Sequence, residues 1–317
     1  MNILFVGDFH IKESELKEIN NIFDEILILK DKHNINRLYI TGDTFDKINP
    51  TPNEIDCFAK FIQKINIPII LISAQSHESI SETESILNHF GILKNTILVT
   101  KEYQDKDHLF MGHFTLKESK INYGTTKSKK EFSKYKYVIL GHQHSFELIN
   151  PNICHLGSIR YVDFAEVDDT KKVVLLIENY KEDKEKCHFL ELKSPYPMVD
   201  LHFIKKMPQT SQKQAKSGIL KASVNEFKAK LDKLDLKTKV RIIFNNFEEW
   251  KEFLPYYHKY KEKFFVFKDK KDFIISLDKH TEIAKQKTGN LKESLKKYLE
   301  ENKIEKDIAQ ILLNEIK

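Results

Sequence analysis

Short apolar runs that stop at a glycine or a polar cluster recur through the first half of the chain, with helical periodicities between them. Residues 3–6, 38–40, 69–72, 109–111 and 137–140 have the length and branched composition of buried strands. After the first run, Leu16, Ile19, Phe23, Ile26 and Leu27 recur at the spacing of one helix face. After the second, Thr51-Pro-Asn-Glu54 has the form of a capping box with proline in the first turn. Ile55, Phe58, Ile62 and Ile65 then supply that helix's buried stripe. Ser81-Glu-Thr-Glu84 caps a further helix with its stop at Gly91. Strand and helix in alternation predict an α/β layer fold. The runs at 173–177 and 189–192 read as closing strands of a second sheet.

Past Lys193-Ser-Pro-Tyr-Pro197 the pattern changes, so a first domain over 1–195 is expected to give way to a smaller α+β domain over 196–284. Strands are expected at 199–203, 240–244, 264–267 and 273–275, with a helix capped by Ser223 and Glu226 and a polar loop over 209–216. Residues 285–317 are expected to form a helical tail, with a start signal at Asn290. Its stripes, Leu291/Leu295/Tyr298/Leu299 and Ile304/Ile308/Ile311/Leu312/Ile316, exceed what two short helices can bury alone. They either pack against the preceding domain or offer a surface to a partner helix.

Composition changes this picture little. At 317 residues, with 40% hydrophobic residues and only 9 glycines and 8 prolines, the chain can bury sizeable cores. Lys and Arg exceed Asp and Glu by 52 to 47, a mild basic excess that suits a polyanion without demanding one. Three cysteines, Cys57, Cys154 and Cys187, lack metal-site spacing and cannot all pair, which points to a reducing compartment. The start of the chain runs straight into a strand and no stretch is long enough to span a bilayer. A cytoplasmic protein without membrane contact is therefore expected.

The chemistry gathers where the strands stop. Asp8 and His10 follow the first run, and in extended backbone residues two apart point the same way. Asp43 follows Thr41-Gly42 at the end of the second, at the rim where open α/β sheets place their sites. His77 follows the third, His113 the fourth, and His142 with His144 the fifth. Carboxylates mixed with imidazoles suit Mn, Fe or Zn better than Ca. A carboxylate such as Asp43 can turn one oxygen to each of two cations, an arrangement suited to in-line attack on phosphorus.

Gly7-Asp-Phe-His10, Gly42-Asp-Thr-Phe-Asp46, a His77-Glu78 loop, Gly112-His113 and Gly141-His-Gln-His144 together resemble the calcineurin-like metallophosphoesterases. His155-Leu-Gly-Ser-Ile-Arg160, continuing to Asp163-Phe-Ala-Glu166, resembles the SbcD-type DNA repair nucleases within them. The likeness covers about residues 1–175. It implies a two-sheet sandwich flanked by helices, a capping domain, and two divalent cations, manganese by preference. Asp8, His10, Asp43 and His144 would hold the first cation. Asp43, His113, His142 and a residue of the third loop would hold the second. His77 would sit over the scissile phosphate, and Asp46 would orient the site from behind. Ser158 and Arg160 would meet substrate, as would Lys127, Lys129 and Lys130 in a lysine-rich segment interleaved with Tyr123, Phe132 and Tyr135. That segment reads equally as a solvated loop. DNA, an SMC-like ATPase bound by the tail, and a second copy docked through the helix of Phe58 and Ile62 with the helix after Ser81 would be the partners.

One departure stands out. The family carries an asparagine one residue before the third-loop histidine, and here Ala74-Gln75-Ser76-His77 puts Ser76 there and Gln75 in the glycine's place. Gln75 could supply an amide oxygen, Ser76 could coordinate weakly, or the second cation could be weakened. The functions that follow are a two-metal DNA nuclease, a phosphatase or small-phosphodiester hydrolase, or a weakened scaffold subunit.

Overall fold

The computed structural model describes residues 1–74, 86–92, 97–121 and 127–203, and between 224 and 268 residues 224–235, 237–244, 249, 252–256, 260 and 265–268. The chain divides into two compact units, Met1–Met198 and Val199–Lys317. The strands in chain order are β1 (Asn2–Val6), β2 (Ile35–Ile40), β3 (Ile69–Ile72), β4 (Ile97–Thr100), β5 (Glu102–Asp105), β6 (Leu109–His113) and β7 (Tyr137–Gly141). They continue with β8 (Glu147–Asn150), β9 (Ile153–His155), β10 (Lys172–Glu178), β11 (Lys186–Leu192), β12 (Met198–Phe203), β13 (Lys239–Phe244) and β14 (Phe265–Lys268). The α-helices are α1 (Leu16–Lys32), α2 (Pro52–Ile65) and α3 (Val224–Lys233).

In the first unit, β11-β10-β1-β2-β3-β4 form one sheet and β5-β6-β7-β9-β8 another. β1 to β4 run parallel, as do β6, β7 and β9, so each sheet presents several carboxyl ends to one rim. The period-two alternation of the strands divides the core cleanly. Ile3, Phe5, Tyr39, Ile70, Ile72, Val173 and Leu175 meet Leu109, Met111, Ile139 and Cys154 of the other sheet. Leu4, Val6, Leu38, Ile40, Leu71 and Val174 face the opposite way, onto Ile19, Phe23, Ile26, Phe58, Phe61 and Ile62 of α1 and α2. Two sheets face to face with helices outside the first are thus the architecture of this unit.

The expected capping box is formed: Thr51 Oγ1 accepts from the Glu54 N–H at 3.3 Å, and Glu54 Oε2 accepts from the Thr51 N–H at 2.6 Å. Several expectations are corrected. β10 and β11 do not close the second sheet; β10 pairs antiparallel with β1 and β11 extends the first sheet. The physical reason is that β10 carries an unbroken Val-Val-Leu-Leu-Ile run, apolar on both faces, and only an interior strand between two cores buries both. Phe58 and Ile62 are fully buried within this chain's own core, so any dimer through α2 would have to use its other face. Phe132 and Tyr135 are buried with Phe110, Val138 and Leu140 behind the second sheet, and are not available for stacking on bases. Strands β4, β5, β8 and β9 went unread. β5 and β8 are mostly polar or short edge segments with little alternation to detect.

The second unit contains a sheet in the order β12-β13-β14 with β13 and β14 parallel. Phe203, Phe227, Leu231, Val240, Ile242, Phe253 and Tyr260 form its core. The expected strand at 273–275, the loop over 209–216, the helix start at 81 and the whole tail from 285 lie outside the described residues.

Candidate metal centre

Six of the residues singled out by sequence converge where β1, β2, β6 and β7 end. The loop after β1 is zipped to the loop after β2: the N–H groups of Phe9 and His10 both donate to the Asp43 carbonyl, at 3.0 and 2.8 Å. On its other side, the Ile159 N–H donates to the Asp8 carbonyl at 3.0 Å. The intervening phenylalanines anchor these loops. Phe9 is fully buried among Phe23, Phe58 and Phe61, and Phe45 lies against Phe58 and Phe90. Phe9 thus enters the helical layer while Asp8 and His10 face the site, although His10, at φ 47°, has left the extended backbone expected there.

Two sets of ligand atoms result, each gathered within 4.8 Å: His10, Asp43 and His144 in one, and Asp43, His113 and His142 in the other. Asp43 belongs to both. Its Oδ2 lies 3.6 Å from His10 Nε2 and 3.2 Å from His113 Nε2. The His10 and His144 rings are 4.6 Å apart, and those of His113 and His142 5.1 Å. His10, Asp43 and His142 all sit at positive φ, of 47°, 40° and 78°. Such conformations cost non-glycine residues on the order of 1 kcal/mol each and cluster where side chains must be aimed.

Asp8 stands beside these sets with both oxygens engaged. Oδ1 accepts from the Thr41 hydroxyl at 2.9 Å and Oδ2 from the His142 N–H at 2.8 Å. Thr41 also gives its carbonyl to His113 Nδ1 at 2.9 Å, which fixes that ring's tautomer and turns Nε2 towards Asp43. His113 Nε2 is buried and off hydrogen-bond alignment with Asp43 Oδ2, as a nitrogen arranged for a cation would be. Thr41 did not stand out in the sequence; its only signal was a polar residue closing an apolar strand. Two glycines are needed here by close approach. A Cβ on Gly42, at φ +128°, would lie 2.2 Å from His113 Nδ1, and one on Gly141 would lie 2.6 Å from Asp8 Oδ1.

The electrostatics mark the site as an attractor of positive charge. Burial opposes a charge on His113, but Asp8 and Asp43 outweigh it and push its pKa up to about 9. His142 is moved down, first by burial and then by the neighbouring His113. Burial likewise opposes charge on His144, yet Glu166 moves its pKa up. For Asp46 burial works against the carboxylate, but His10, at 3.7 Å, and Lys12, at 3.6 Å, hold its pKa down. Four imidazoles about a shared carboxylate, one of them with a buried nitrogen off hydrogen-bond alignment, fit a pair of divalent cations of the borderline class.

Other expected residues lie elsewhere. Arg160 and Ser158 are corrected: at 1% and 0% exposure neither can touch substrate. The Arg160 guanidinium donates to the His10 carbonyl at 2.7 Å, to the Phe9 carbonyl at 3.2 Å and to Glu15, bracing the first loop from beneath. Ser158 Oγ donates to the Arg160 carbonyl at 2.6 Å. Lys127 pairs with Glu102 at 2.8 Å and covers the Phe114 ring. Lys129 and Lys130 begin a 3₁₀ turn, Lys129–Phe132, capped by Ser128. Gln75, Ser76 and His77, like Tyr123, lie outside the described residues.

No protein-family model matches the chain, and no curated protein does. Among solved structures it is similar to the phosphoesterase YfcE of E. coli, at 14% identity and a TM-score of 0.30, over 56% of this chain and 89% of that one. It is also similar to the nuclease MPE of Pseudomonas putida, at 14% identity and a TM-score of 0.32, over 55% of this chain and 83% of that one.

Proposed function

We propose that this chain is a two-cation hydrolase of phosphate esters, with DNA phosphodiesters as substrate, manganese as the preferred cation and an SMC-like ATPase as working partner. One observation carries the hydrolase reading: a single carboxylate, Asp43, is shared between two histidine-bearing ligand sets. His10, Asp43 and His144, with Asp8 beside them, would hold one cation, and Asp43, His113 and His142 the other. Bound there, the pair supplies charge opposite a phosphate and brings the pKa of water towards neutrality. The chain's own residues aim that chemistry. Thr41 orients His113, Asp8 holds the His142 loop, and Asp46 backs His10. His77 is proposed to act on the leaving oxygen, and Gln75 to complete the second set where the family has asparagine.

Support for DNA is the resemblance of residues 155–166 to the SbcD-type segment and the net charge of +5. Support for the ATPase is the pair of apolar stripes in the tail, read as a helix-in-groove ligand. A second reading, a hydrolase of small phosphodiesters, gains weight from the burial of Phe132 and Tyr135, which leaves the lysine segment without those rings for stacking. The test is digestion of linear and hairpin DNA with Mn²⁺ beside bis(p-nitrophenyl) phosphate. Cleavage of DNA is expected. Turnover of the small ester alone selects the second reading, and turnover of neither rejects both.

A further inference from the structure

Behind His144 lies a buried charged cluster that the hydrolase reading leaves without a role. Glu166 and Lys172 have side chains 4% and 2% exposed and form a direct ion pair. Lys172 Nζ also reaches Asp169 at 2.9 Å and donates to the His144 carbonyl at 3.1 Å. The Ser158 N–H donates to the same carbonyl at 2.9 Å. On the ring side, Glu166 Oε1 faces His144 Nδ1 at 3.2 Å. That oxygen also accepts from the N–H groups of Val162 and Asp163, at 3.0 and 3.1 Å, so it cannot swing aside. His144 is thus held at both main chain and ring. Although His144, Asp163 and Glu166 gather ligand atoms within 4.8 Å, the Glu166 oxygens are already committed to Lys172 and two amides. The cluster is therefore built as a support rather than as another cation site.

We infer that Glu166, fixed by Lys172, is a positioning residue that sets the His144 ring for the His10/Asp43/His144 cation and leaves the Asp43/His113/His142 cation untouched. The inference rests on the two-cation reading above. Its physical basis is an asymmetry between two imidazoles. His113 Nδ1 hydrogen-bonds a neutral carbonyl, that of Thr41 at 2.9 Å, with the Asp8 carboxylate farther off at 3.7 Å, whereas the nearest partner of His144 Nδ1 is itself a buried carboxylate, at 3.2 Å. An Nδ1–H held by a carboxylate locks the tautomer, leaves the Nε2 lone pair free for a cation and raises its basicity. Losing such a partner typically costs 10–100-fold in cation affinity.

The test uses the full chain, wild type and Glu166→Gln, in two measurements. Before any cation is added, at a pH where the rings are neutral, ¹⁵N NMR should show wild-type His144 protonated at Nδ1 alone, and the variant a mixture of tautomers. Calorimetry with Mn²⁺ should then show two equivalents in the wild type, and one of them weakened about 10–100-fold in the variant. With Zn²⁺ as a diamagnetic probe, the His10 and His144 rings should lose their stoichiometric response while those of His113 and His142 keep theirs. Equal weakening of both equivalents in a folded variant, or of neither, overturns the inference and leaves the two-cation reading standing. A wild type that binds no cation overturns both. Should the variant fail to fold, the wild-type tautomer decides alone: a neutral His144 ring protonated at Nε2 rather than Nδ1 overturns the inference.

Discussion

Asp8 Oδ2 accepts the main-chain N–H of His142 at 2.8 Å, so a carboxylate at the end of the first sheet holds a loop at the end of the second. Its other oxygen takes the Thr41 hydroxyl at 2.9 Å, which brings the end of β2 into the same tie. Asp8→Asn keeps the volume but has only one oxygen for two donors. The unmatched donor should cost about 1–3 kcal/mol of stability. The His142 loop should loosen, and calorimetry should show weaker binding of both Mn²⁺ equivalents. A variant with wild-type affinities would mean that Asp8 neither holds the loop nor contributes to the cations.

Asp43 is the residue both ligand sets share. Asp43→Ala should abolish binding of both cations and all ester hydrolysis, whereas His113→Ala and His144→Ala should each weaken a different one. Two equivalents of normal affinity in the Asp43 variant would remove the basis for a bridged pair.

Gly141 lies where three polar atoms converge. An added Cβ would stand 2.6 Å from Asp8 Oδ1 and 2.7 Å from both His113 Nδ1 and the Thr41 carbonyl oxygen. Contacts below 3.0 Å force something to move, and here each neighbour is itself fixed by hydrogen bonds. Gly141→Ala should therefore lower hydrolysis by at least tenfold while leaving the circular dichroism spectrum native. Undiminished hydrolysis would show that the second-sheet loop tolerates displacement.

How much of this was legible beforehand varied with the kind of signal. The six ligand candidates could be read because each follows an apolar run that stops abruptly, and strand ends in a parallel sheet share one rim. The capping box of Thr51 and Glu54 was local and therefore readable. The supports were not. Glu166 reaches His144 from 22 positions away in sequence, and Arg160 reaches His10 from 150, through contacts that no local pattern encodes. Ser158 and Arg160 were placed at substrate by resemblance, but that segment's proximity to the site comes from bracing it. The expected placement of β10 in the second sheet failed for the same reason: two apolar faces show burial, but not that β1 is the neighbour.

Arg160 offers a direct contrast between bracing and substrate contact. Its guanidinium is buried against the Glu15 carboxylate and the His10 carbonyl. Arg160→Met should leave a buried charge and a buried carbonyl uncompensated, costing about 3–5 kcal/mol in urea denaturation. Unchanged stability with a raised KM would return Arg160 to the substrate.

The acid limb of stability should be set at the other end of the sandwich, by Glu185. Burial works against its charge, but Lys136 at 2.5 Å, the Lys181 N–H at 2.6 Å, the Tyr137 hydroxyl at 2.7 Å and His108 at 2.9 Å outweigh it. Together they hold its pKa down to about 2. A carboxylate depressed in the folded state binds its proton first in the unfolded chain, near pH 4.3. Its contribution is thus complete above about pH 4.5 and drains away as pH falls towards 2. Tyr137 and His108 stand at the start of β7 and just before β6, whereas the ligands lie at those strands' far ends. Glu185→Gln should therefore lower the melting temperature at pH 7 and flatten its fall between pH 4.5 and pH 2. Cation affinity at pH 7 should stay within about twofold of the wild type. A variant whose melting temperature falls with acid as steeply as the wild type's would place the controlling carboxylate elsewhere, with Glu166, also held down to about 2, next to be replaced.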